Sequence, residues 1–90
     1  MNRIVLSIIG CIVAFNVFAL SISSDGRAWN RASAKERDAF ARDVVGRLGA
    51  KYPAAEMRAC IDSFYVPPAP DNILAQEIGQ IAVLCHTQLK

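Results

Sequence analysis

Arg3 is the only charged side chain in the first 24 residues, and the uncharged stretch behind it, Ile4 to Ser24, has no counterpart in the other 66. Such a run either sends a chain out of the cytosol or anchors it in a membrane. It therefore sets the compartment and, through the compartment, the chemistry open to the cysteines. A basic start, an apolar run from Ile4 to Leu20 and small polar residues after it follow the order of a secretory signal. Small-x-small patterns at Ala19-Leu20-Ser21 and Ser21-Ile22-Ser23 put cleavage near Ser21 or Ser23, and the signal peptide is expected over residues 1–23. The alternative is a retained transmembrane helix over residues 4–22, since a span takes about 20 apolar residues and this run has about 17 to 19. Arg27, Arg31, Lys35 and Arg37 follow the run and outnumber Arg3 before it, which by the positive-inside rule favours retention. Ile8-Ile9-Gly10-Cys11 has the form of a lipoprotein box, but the apolar run continues past Cys11 instead of closing there.

Cysteine arithmetic supports export. The chain has Cys11, Cys60 and Cys85, an odd set that leaves a spare thiol in an oxidising compartment. Removing the signal removes Cys11 and leaves one pair. A Cys60–Cys85 disulfide is expected in an exported chain; two buried thiols acting as small hydrophobes are the cytosolic alternative.

Residues 25–90 carry nine basic and eight acidic side chains, so their net charge is only +1. Nucleic-acid binding, whose footprint is a strong basic excess, is not expected. The charges are unevenly spread: seven basic against four acidic in residues 25–51, two against four in residues 52–90. A basic first half is expected to complement an acidic second half within the fold, with a contact to anionic lipid or an acidic partner as the lesser reading.

Apolar spacing is helical throughout the part after the signal, and no alternating strand pattern competes with it. Ser33-Ala34-Lys35-Glu36 fits a capping box, followed by a stripe of Phe40, Val44, Val45 and Leu48 and a stop at Gly49. Asp38 with Arg42 and Asp43 with Arg47 form acid-before-base pairs on that helix. Pro53 suits the first position of a second helix with the stripe Met57, Cys60, Ile61, Phe64 and Tyr65. After a proline-rich linker, residues 66–70, a third helix capped by Asp71 or Asn72 carries Leu74, Ile78, Ile81, Ala82, Cys85 and Leu89 on one side. The expected fold is all-α: a three-helix bundle over residues 24–90, with helices near 33–48, 53–65 and 72–89, held by one disulfide. A domain this small buries too little apolar surface to be comfortable without a staple. One tension remains, because Cys60 lies about 8 Å before the end of its helix and Cys85 about 20 Å into the next. A stiff polyproline spacer over residues 66–70, or strongly crossed helices, would reconcile the two heights.

Catalytic groups are scarce. His86 is the only histidine, its neighbour Cys85 diverges from it by about 100° on a helix, and it reads best as an exposed residue near a helix C-terminus. The spacings that identify metal sites are missing, the acids are dispersed, and no glycine-rich phosphate loop exists. Glu56, Asp62 and Glu77 read as parts of solvated faces. No enzymatic activity, cofactor or metal is expected. Trp29, in the polar approach DGRAWNRAS with Arg27 and Arg31 beside it, is either an anchor for a protein partner or a lid over the end of the bundle. An apolar-ligand carrier would need a cavity that three short helices do not readily enclose. The expectation is a small exported bacterial envelope protein that binds a protein partner through a helical face, as an inhibitor, immunity factor, chaperone or accessory subunit does. The alternative is a single-pass membrane-anchored accessory subunit, in contact with the membrane only through residues 4–22.

Overall fold

Two reciprocal hydrogen bonds start the longest helix. Ser33 Oγ accepts from the Glu36 N–H at 3.1 Å and Glu36 Oε1 accepts from the Ser33 N–H at 2.9 Å, the capping box read in the sequence. The computed structural model describes residues 20–90. Within them run five helices: α1 (Gly26–Arg31), α2 (Ala34–Leu48), α3 (Ala54–Tyr65), α4 (Asp71–Leu74) and α5 (Ile78–Leu89). Among the described residues there is no strand, only one isolated antiparallel bridge between Asp25 and Glu77. Residues 1–19, which hold Cys11 and most of the expected signal or anchor, lie outside the described residues. Residues 20–22 belong to no helix.

The first expected helix is α2, stopped by Gly49 in the left-handed conformation at φ 63°. The second is α3, with Pro53 one place earlier than expected, as the N-cap residue. The third is corrected. It divides into the single turn α4 and the helix α5, with residues 75–77 between them. Pro70, not Asp71 or Asn72, precedes α4 as its N-cap residue. A further short helix, α1, lies ahead of α2, capped by Asp25 Oδ1, which accepts from the Ala28 N–H at 3.0 Å.

Helix α3 is the centre of the packing. Both α2 and α5 lie against it, and they have little contact with each other. The core consists of Trp29, Phe40, Ala41, Val44, Met57, Ile61, Tyr65, Ile78, Ile81, Ala82 and Cys85. It draws on every helix except α4, so most of each apolar stripe read in the sequence faces inward, the exception being Leu48 at the end of α2, which is 42% exposed.

The break before α5 removes the height problem for the cysteines. Cys85 now lies only about 10 Å into its helix, close to the roughly 8 Å by which Cys60 precedes the end of α3. The two sulfurs stand at disulfide distance, with Cα atoms 5.9 Å apart, inside the range that a bridge spans. The linker bends at residues 66–68, so an extended polyproline spacer is not what aligns the pair.

Candidate functional site

The residue singled out as a partner anchor turns out to be interior. Trp29 has no exposed surface. Its ring meets Phe40 edge-on, with centroids 6.0 Å apart and planes at 81°. Its Nε1 donates to Asp62 Oδ1 at 2.7 Å. A partner could reach this indole only if the fold opened, and of the two sequence readings the lid fits its buried position better. Arg27 and Arg31 remain on the exposed side of α1, and Arg27 reaches the well-exposed Asp71 at 3.4 Å.

Asp62, read from sequence as part of a solvated face, is instead the hub of a polar cluster. Besides Trp29, its Oδ1 accepts from Arg37 at 3.4 Å. Its Oδ2 lies 3.4 Å from Arg58 Nε, an ionic contact without hydrogen-bond geometry. Arg58 reaches across to Asp38 on α2 at 2.8 Å, so Asp38 pairs between helices and not with Arg42. Arg37 also donates to the carbonyls of Trp29 and Asn30 at 3.0 and 3.1 Å, which lie in the last turn of α1, where helix carbonyls run short of intrahelical donors. The guanidinium carbon of Arg37 stands 5.8 Å from the indole centroid, within cation–π range. Side chains from α2 and α3 thus tie α1 down. The Arg27–Asp71 and Arg37–Asp62 pairs join the basic first half to the acidic second, in line with the uneven charge distribution.

His86 is not free at the helix end. Its Nδ1 lies 2.6 Å from the Tyr52 hydroxyl and the two rings are tilted by 49°. Burial pushes the Tyr52 hydroxyl above its ordinary pKa of 10.0. Cys85 meanwhile faces Cys60, so the neighbours diverge as helical geometry requires. Among the described residues no group of three or more His, Cys, Asp or Glu side chains is placed to hold a metal ion. No described helix is long and apolar enough to cross a membrane.

What remains unpartnered is a groove between α2 and α5. It encloses about 440 Å³ and is walled by Val44 and Leu48 on one side, Ala82 and Val83 on the other, with Gly79 and Ile22 at one end. Arg47, Glu77 and Gln80 stand at its polar rim. Three of its apolar residues are exposed, Ile22 at 67%, Val83 at 61% and Leu48 at 42%. Scattered exposed apolar residues are ordinary, but three gathered along one concavity are the pattern of an interaction surface. The groove arises because α3 holds α2 and α5 from below while nothing described covers them from above. Leu48 was legible as part of an apolar stripe, but Val83 lies off the stripe of α5, so no sequence pattern joined the two. Comparison with protein-family models, with curated proteins and with solved structures finds no match to this chain.

Proposed function

We propose that this chain is a small exported, non-enzymatic protein of the bacterial envelope that binds a protein partner by receiving an apolar helical face in the groove between α2 and α5. The observation that carries the reading is the groove itself: apolar walls, polar rim residues, and Leu48 and Val83 left in water on opposite sides. Two helices lying side by side on a third offer a ridge-lined trough, and an amphipathic helix laid along it would bury all three exposed apolar residues at once. Export, the second half of the reading, is supported by the uncharged run of residues 4–24 and by the pairing of the two cysteines that would remain after its removal. In that compartment the pair forms a covalent bridge between α3 and α5.

The test is site-specific photocrosslinking in the host cell, with a photoreactive side chain placed at Val83 and, separately, at Arg31. A discrete adduct from Val83 and none from Arg31 is the expected result. An adduct from Arg31 alone would move the contact to α1. No adduct from either position, with the protein folded and exported, would contradict the binding reading. Retention of the full-length chain in carbonate-washed membranes would favour the anchored accessory subunit.

A further inference from the structure

The bond at which a leader would leave can be read from what residues 20–24 hold in place. Leu20 is half-buried against the core, beside Ala39 and Phe40 of α2. Ser21 and Ser24 then close a turn: the Ser24 N–H donates to the Ser21 carbonyl at 3.1 Å, and the Ser21 N–H donates to Ser24 Oγ at 3.1 Å. Beyond the turn the segment meets the start of α5, whose N-cap residue Glu77 makes no side-chain cap hydrogen bond. The backbone of the segment takes over that role. The Ile78 N–H donates to the Ser24 carbonyl at 2.7 Å and the Gly79 N–H to the Ile22 carbonyl at 2.9 Å. Two of the donors that a helix start leaves without intrahelical acceptors are satisfied in this way. Gly79 is fitted to the contact, because a Cβ there would stand 3.0 Å from the Ile22 carbonyl oxygen and 3.1 Å from the Ile22 Cβ.

A leader ending at Ser23 would carry away Leu20 and the Ile22 carbonyl that caps α5. A leader ending at Ser21 would carry away Leu20 and half of the turn. Directly upstream, Val17-Phe18-Ala19 offers a small residue at the cleavage position and a compact one two places before it, the spacing that leader removal requires. We propose that the leader is cut between Ala19 and Leu20, so that the mature chain begins at Leu20 and its first five residues form a strap that caps α5 and covers Phe40. The inference rests on the export reading above and replaces the cut near Ser21 or Ser23 expected from the small-x-small patterns. The step is peptide hydrolysis by a signal peptidase of the host. Water breaks the bond between the Ala19 carbonyl carbon and the Leu20 nitrogen, leaving a carboxylate on Ala19 and an amino terminus on Leu20.

N-terminal sequencing of the product recovered from the host envelope after synthesis of the full 90-residue chain tests the proposal. The expected read is Leu-Ser-Ile-Ser-Ser. A shortened product that begins at Ile22, at Ser24 or at any other residue overturns the cut while export stands. A product that still carries the whole of residues 1–19 overturns the cut and the export reading together.

Discussion

An indole buried in so small a domain needs an acceptor for its N–H, and Asp62 supplies one from 33 positions away at 2.7 Å. The same carboxylate is charged, so it needs compensation in turn, and Arg37 and Arg58 provide it on either side. Removing Asp62 leaves the indole N–H without an acceptor and two guanidinium groups without their shared counter-ion. Asp62→Ala is expected to lower stability by about 1 to 3 kcal/mol, and Asp62→Asn by less, since the amide oxygen still accepts from Trp29. Trp29→Ala should cost more, about 3 to 5 kcal/mol; chemical denaturation measures all three. A Trp29 variant of unchanged stability would show the indole to be a surface anchor after all. Tyr65 gives a pH signature. It is fully buried and donates to the Gln76 carbonyl at 2.7 Å. Burial, with Asp25 adding to it, pushes its hydroxyl up to about 12 from the ordinary value of 10.0. Between those two values the unfolded chain releases the Tyr65 proton while the folded chain keeps it, so ionisation favours unfolding. Its contribution is fully present below pH 10 and should fall as pH rises from 10 toward 12. Tyr65→Phe should reduce the steepness of that fall in denaturation midpoints taken across the range. Of these partnerships only the contact of Asp62 with Arg58, four positions earlier, is local. The rest of its role comes from residues 25 and 33 positions distant, which no sequence pattern marks.

At the scale of elements, local signals held where the determinants are local. The Ser33–Glu36 box, the Gly49 stop and the stripe of α3 each depend on residues within a few positions, and each appears where the pattern placed it. Ser33→Ala removes one side of the box and is expected to cost about 1 kcal/mol, read as a drop in melting temperature. Serine to threonine at the same position should retain most of that stability. Helix α1 was missed because its six residues are too few to show an apolar period. The break at residues 75–77 was missed for a different reason. Leu74, Ile78, Ile81 and Ala82 keep helical spacing straight through it, while what ends α4 and starts α5 is remote: Tyr65 bonding the Gln76 carbonyl, and the strap carbonyls meeting Ile78 and Gly79. The groove was illegible for the same cause. Its walls come from α2 and α5, which have little contact with each other and share their support on α3.

Across the described residues, α2 and α5 rest on one central helix, α3, and a disulfide-distance pair joins α3 to α5. The residues between the cysteines include the linker, α4 and the break, so a covalent bridge would restrain the part of the fold with the least regular structure. Closing that loop, with a sequence separation of 25, should contribute about 3.5 kcal/mol, a large share of the stability expected of a small domain. The bridge would also hold α5, one wall of the groove, to α3, the helix against which the other wall, α2, is packed. The proposed compartment and the covalent staple can therefore be tested together. The most direct measurement is the intact mass of the protein from its host, with free thiols alkylated before any reduction. A leaderless chain with no alkyl group on Cys60 or Cys85 is the expected result. A full-length chain alkylated at both would contradict the account and return the protein to the inner side of a membrane.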